Sequence, residues 1–123
     1  MRENIFLIID FDSTIISCET LDELSSLLLQ NDVQKINQIK DITDKAMNGD
    51  IAFSQALNDR LKILNISDEN ILNEIELVKN KISDTFLESI DFIKSNHNNI
   101  YIVSGGFYEF IEPVANILGI KIN

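Results

Sequence analysis

Asp10 and Asp12 stand one residue apart at the end of the apolar run Ile5-Phe6-Leu7-Ile8-Ile9. Carboxylates in such a pair can share nucleophilic and acid-base work, or hold a divalent cation such as Mg²⁺. Five apolar residues without alternation predict a strand covered on both faces, as in a parallel sheet flanked by helices. Ligands in such sheets collect at the carboxyl ends of the strands. Side chains alternate along an extended chain, so Asp10 and Asp12 are expected on one side with Phe11 turned away. Two acids after a strand are also compatible with plain loop residues that cap the next helix. A second candidate group, Ser104-Gly105-Gly106, follows the apolar run Ile100-Tyr101-Ile102-Val103. A hydroxyl and glycine amides at a strand tip, just before a helix, make a phosphate cradle, although a serine there can equally be an N-cap.

The elements that must position these groups are strands at both ends of a helical block. Residues 17–82 carry helical spacing almost throughout. Leu21, Leu24, Leu27 and Leu28 form one apolar face, and Val33, Ile36, Ile39, Thr43 and Met47 form the next, which stops at Asn48-Gly49. A third helix is expected from Ile51 to about Leu64. Ser67 can cap a fourth, with Ile71, Ile75 and Val78 apolar and Asp68 and Glu69 in its first turn. A fifth, capped by Ser83 or Asp84 with Phe86, Leu87, Ile90 and Ile93 inward, runs to about Ser95. After the second strand, a helix from Phe107 to Leu118 ends at Gly119, with a kink or restart expected near Pro113. Ile120-Lys121-Ile122-Asn123 reads as the start of a third strand.

Composition narrows the function classes. The 123 residues carry a net charge of −10, which argues against nucleic acid or an anionic membrane as partner. The apolar run at the N-terminus is too short for a signal core or a membrane span, and a single cysteine, Cys18, excludes an internal disulfide. These features suggest a cytoplasmic protein. Cys18 and His97 lack partners at metal-ligand spacing, so packing and turn roles are expected for them.

Asp10-Phe11-Asp12-Ser13-Thr14 after a first strand resembles the opening motif of the haloacid dehalogenase superfamily of phosphohydrolases, and Ser104-Gly105-Gly106 resembles its second motif. Within that superfamily the stretch from Asp10 to Leu24, the segment Ala46-Met47-Asn48-Gly49-Asp50-Ile51-Ala52-Phe53 and Ser104-Gly105-Gly106-Phe107 are similar to the phosphoserine phosphatase family. The resemblance implies an α/β fold: a Rossmann-like parallel sheet, incomplete here, formed by residues 1–16 and 83–123, with an inserted helical cap at 17–82. It implies Mg²⁺-dependent hydrolysis of O-phosphoserine through an aspartyl phosphate, as part of serine biosynthesis. Asp10 would be the nucleophile and Asp12 the acid and base, with the Asp10 carboxylate and the Asp12 backbone carbonyl on the metal. Ser104, Gly105 and Gly106 would hold phosphoryl oxygens. Glu19 would bind the substrate ammonium, Arg60 its carboxylate, and Met47 and Phe53 would line the cap side of the pocket. A Glu and an Arg suit a zwitterionic amino-acid head. Without the resemblance, Glu19 and Arg60 read as ordinary helix residues, and Met47 and Phe53 as core.

The sequence departs from the family pattern in one main respect. The family's phosphate-binding lysine and acidic metal loop lie downstream of the second motif, whereas Lys121 is the only lysine after Ser104 and no Asp follows it. The turn before the fifth helix reads Ser83-Asp84-Thr85, without the family's Pro and Gly. The chain is therefore expected to be a truncated form with little activity alone, served by a complementing C-terminal segment or by self-association. Another small-phosphomonoester phosphatase or phosphotransferase, and a catalytically dead interaction module, are the competing readings. A signalling receiver domain is disfavoured by the helical block.

Overall fold

In the computed structural model, which describes residues 5–121, β1 (Leu7–Ile9) and β2 (Ile100–Ile102) form a two-stranded parallel sheet. Leu7 pairs with Ile100, Ile8 with Tyr101 and Ile9 with Ile102. The Val103 N–H extends the ladder to the Ile9 carbonyl at 3.0 Å. Parallel neighbours need a long crossover. Here it carries α1 (Thr20–Leu29), α2 (Val33–Met47), α3 (Phe53–Leu64), α4 (Asp68–Lys79), α5 (Asp84–Glu88) and α6 (Ile90–Ser95), and α7 (Tyr108–Leu118) follows β2.

The helix ends follow local chemistry. Asp32 caps α2 by accepting the Lys35 N–H at 3.1 Å, and Gly49, at φ +79°, makes the turn beyond its C-terminus. Asn65 ends α3 in the left-handed region at φ 49°. At α4, Ser67 Oγ accepts the Asn70 N–H at 3.2 Å while Asn70 Oδ1 accepts the Ser67 N–H at 2.9 Å, a reciprocal cap. Gly119 closes α7 at φ +77°.

The chain divides into two compact units: residues up to Leu21 together with those from Ile71 onward, and Asp22–Asn70. The helical stretch 17–82 is thus shared between them, with the divide inside α1 and α4. The first unit holds a core of Phe11, Ile15, Ile16, Val78, Ile82, Ile93, Ile100, Val114, Ala115, Leu118 and Ile120, with Ile9 and Ile102 packed against it. In the second unit α2 packs on α3, and Leu24, Leu29, Ala56 and Leu64 are buried.

Several expectations change. β1 is not covered on both faces: Ile5, Phe6, Leu7 and Ile8 are exposed, because among the described residues only two strands are present and helices pack on one face. The expected apolar face of α2 buries no residue, and Leu27 of α1 is exposed. The fifth helix is two helices, broken at Ser89 where φ is −98° and ψ 13°. Pro113 causes no restart. The bond it forfeits would have gone to the carbonyl of Glu109, an exposed residue, so water can take the donor's place. Ile120 and Lys121 pair with no strand, and Ile122 and Asn123 lie outside the described residues.

Candidate active site

β1 ends at Ile9, and the chain then makes one wide turn over Phe11–Ile15, closed by the Ile16 N–H to the Phe11 carbonyl at 3.3 Å. Phe11 and Ile15 anchor that turn in the core, which leaves Asp10 exposed and Asp12 half-buried. Asp10 Oδ1 accepts the Phe11 N–H at 2.8 Å, leaving its other oxygen as the free end of the carboxylate. Ser13 sits at φ 58°, an uncommon conformation for a residue with a Cβ. Its N–H bonds the Cys18 carbonyl at 3.0 Å and its hydroxyl donates to Glu19 Oε1 at 2.8 Å. Residues 81–83 stitch the loop from outside. The Ser17 N–H meets the Lys81 carbonyl and the Ser83 N–H meets the Ile15 carbonyl, both at 2.8 Å, around the Ile16–Ile82 bridge.

Asp12 is the most constrained acid of the site. Its Oδ1 accepts both the hydroxyl of Thr20 at 2.6 Å and the Thr20 N–H at 3.0 Å. Thr20 opens α1 and is buried, so the two donors come from one rigid residue. Sequence reasoning missed Thr20. Its one signal was a hydroxyl residue at the start of a helix next to Glu19, which does not say what it faces. With Oδ1 engaged, Oδ2 points toward the second strand tip: a Cβ placed on Gly106 would stand 3.2 Å from it and 3.1 Å from Ser104 Oγ. Glycine at 106 is what allows this close approach. The Gly106 N–H donates to Ser104 Oγ at 2.9 Å, so the half-buried hydroxyl of Ser104 keeps its own proton for a ligand. Asp12, Thr20, Ser104 and Gly106 therefore meet beside Asp10 and beyond the two strand ends, with Gly105 exposed between them.

Glu19 belongs to this unit, one residue before α1. Met47, Phe53 and Arg60 belong to the other. Met47 and Phe53 are exposed, which overturns their alternative reading as ordinary core. Arg60 is half-buried, and its Nε donates to the Ala56 carbonyl at 3.4 Å along its own helix. His97 takes a turn role, its Nδ1 lying 2.9 Å from the Lys94 carbonyl, and Cys18 packs against the core.

As a cation site, the loop fits Mg²⁺ in kind: the exposed Asp10 carboxylate is a hard oxygen donor with one oxygen uncommitted. In number it is sparse, since among the described residues no group of three or more His, Cys, Asp or Glu is arranged to hold a metal. No helix of the described residues is long and apolar enough to cross a membrane.

The fold is the haloacid dehalogenase-like α/β architecture, incomplete, with a parallel sheet of two strands among the described residues. Within that class the chain is related to the phosphoserine phosphatases. It is 32% identical to phosphoserine phosphatase of Drosophila melanogaster over 113 residues, which cover 92% of this chain and 40% of that protein. The crystal structure of a phosphoserine phosphohydrolase-like protein from Francisella tularensis matches with a TM-score of 0.73 at 34% identity, covering 95% of this chain and 55% of that one. A phospho-aspartyl intermediate analogue of phosphoserine phosphatase shares the fold with a TM-score of 0.58 at 24% identity, covering 97% of this chain and 54% of that one. The chain spans 33% to 53% of the length of the curated relatives it matches. No family model matches it.

Proposed function

We propose that the chain supplies the nucleophile and the proton-transfer group of a phosphoserine phosphatase, with residues 1–16 and 83–123 as the partial core and 17–82 as the cap. The observation that carries this reading is the meeting of Asp12, Ser104 and Gly106 beside Asp10. The free oxygen of Asp10 attacks phosphorus, and the bond from phosphorus to the serine oxygen breaks. Asp12 Oδ2, the oxygen that Thr20 leaves open, gives its proton to the departing alkoxide. Asp12 then takes a proton from water, whose oxygen attacks the phosphorus of the aspartyl phosphate. Phosphate leaves, and Asp10 returns to a carboxylate. The Ser104 hydroxyl and the Gly105 amide hold phosphoryl oxygens throughout, and Gly106 fixes the serine rotamer. The Asp10 carboxylate and the Asp12 backbone carbonyl would hold Mg²⁺, whose charge would screen the approach of carboxylate to phosphate. Glu19, oriented by Ser13, receives the substrate ammonium, Arg60 its carboxylate, and Met47 and Phe53 enclose the serine portion.

The sparse acid set supports a further element of this reading: the chain alone turns over little substrate. The test is phosphate release from O-phosphoserine with Mg²⁺, measured for the chain by itself and with a polypeptide equivalent to the part of the relatives it does not span. Release on combination, lost in Asp10→Asn, is expected. No release in either case, or release that survives Asp10→Asn, refutes the assignment. The same sparseness favours one second reading, a catalytically dead interaction module, which the first of those failures would leave standing.

A further inference from the structure

Asn48 is followed by Gly49, and of the four glycines in the chain this is the one that stands after an asparagine. Both residues are exposed, at the end of α2. An asparagine side chain is short enough to meet its neighbouring backbone nitrogen, and a side chain on the next residue shields that nitrogen. Gly49 has none, and nothing lies within 4 Å of where its Cβ would stand. Asn80 and Asn96 tie their Nδ2 atoms to the Glu76 and Phe92 carbonyls at 3.0 and 2.8 Å. Among the described residues no such bond holds the Asn48 carboxamide.

The last turn of α2 opposes attack on that carboxamide only weakly. Asn48 sits at φ −80° and ψ −5°, a helical conformation that must rotate before its Cγ can reach the Gly49 nitrogen. Two hydrogen bonds resist the rotation, from the Gly49 N–H to the Ala46 carbonyl at 3.1 Å and from the Asp50 N–H to the Lys45 carbonyl at 2.9 Å. No residue of α2 is buried, so packing adds little to them. Helix ends held by exposed backbone bonds open at low free energy.

We propose that Asn48 is a site of spontaneous deamidation, with water as the co-reactant. The Gly49 nitrogen gives its proton to solvent and attacks Asn48 Cγ. A bond forms between them, the Cγ–Nδ2 bond breaks, and the leaving nitrogen takes up a proton and departs as ammonia. Water then opens the cyclic imide at either carbonyl, so that the chain runs through the Asn48 main-chain carbon, as an aspartyl linkage, or through Cγ, as an isoaspartyl one. While the imide lasts, Gly49 has no N–H to give Ala46. The isoaspartyl form puts an extra atom into the backbone between Met47 and Phe53, and either product adds a negative charge to a chain already at −10. Conversion therefore loosens the turn between α2 and α3. The site stands independently of the phosphatase reading.

The full chain, held at physiological temperature in mildly alkaline buffer, is sampled over days and mapped by peptide mass spectrometry. The peptide carrying Asn48 is expected to convert at least about fivefold faster than any other asparagine peptide. Isoaspartate, read with an isoaspartate-specific methyltransferase, should appear in it, because only the imide gives a chain linked through Cγ. Gly49→Ala should slow conversion at least about fivefold, since its methyl shields the nitrogen in otherwise open space. Asn48 that stays intact in the chain while a synthetic peptide of residues 45–51 converts would show that the helix end does not open, and would overturn the proposal. Conversion to aspartate without isoaspartate, or at an unchanged rate in Gly49→Ala, would overturn it too, since neither passes through the Gly49 nitrogen.

Discussion

Replacing Thr20 by Val tests the account of Asp12 most directly. The substitution removes a 2.6 Å hydrogen bond to Asp12 Oδ1 from a residue that is 3% exposed, and puts a methyl of similar volume where the hydroxyl was. Hydrogen bonds to charged groups contribute about 1.5–3 kcal/mol net. Here the Thr20 amide still donates at 3.0 Å, and Asp12 is only half-buried, so water can reach it. Both facts place the cost at the low end, about 1.5 kcal/mol. For a chain of this size that is a fall in Tm of about 6 °C. Thr20→Ser keeps the donor and gives up one buried methyl, a loss of about 0.8 kcal/mol that should leave it more stable than the Val variant. Urea unfolding of wild type and the two variants, followed by circular dichroism, supplies the comparison. A Val variant as stable as wild type would show that the hydroxyl bond is worth nothing net. A Ser variant as weak as the Val variant would show that the buried methyl of Thr20 contributes as much as its hydroxyl bond.

Other outcomes follow from the same geometry. Gly119→Ala should cost more stability than Gly49→Ala: both sit at positive φ, worth about 1 kcal/mol, but at 119 the new Cβ would fall 2.5 Å from Lys94 Cγ while at 49 nothing lies within 4 Å. Equal losses in thermal unfolding would mean that the Lys94 stem yields freely. Gly106→Ala should cut phosphate release by the complemented preparation more than about tenfold and cost under about 1 kcal/mol of stability, since its Cβ presses on Ser104 Oγ and Asp12 Oδ2 at an exposed position. Unchanged turnover would remove Gly106 from the site. Arg60→Ala should harm hydrolysis of O-phosphoserine far more than that of an aryl phosphate in the same preparation, and parallel losses would sink the amino-acid assignment.

What could be read from the sequence was whatever chemistry acts over a few residues. The cap at Ser67 and the stops at Gly49, Asn65 and Gly119 were legible because each is decided within a turn of helix. Asp10 and Asp12 were legible because an apolar run breaks off at them. Thr20 was not, since its partner is eight residues away and they meet only once the loop has closed. Burial also escaped the pattern. Apolar residues on both faces of β1 say that both are fit to be covered, but periodicity cannot say what covers them, and here one face is left bare. Glu74 was a missed inference: it stands three residues after Ile71 and four before Val78, on the apolar stripe of α4, and it is fully buried.

The stitching of Ile16 to Ile82, with the Ser17 and Ser83 amides bonded on either side, pins the outgoing and returning ends of a sixty-odd-residue excursion side by side. The entropy of closing such an excursion grows only slowly with its length. The helices of Asp22–Asn70 can therefore lengthen, shorten or be exchanged in evolution while the turn that presents Asp10 and Asp12 keeps its shape. The bridge acts as a clasp, so that chain variation beyond it is not transmitted to the loop it closes.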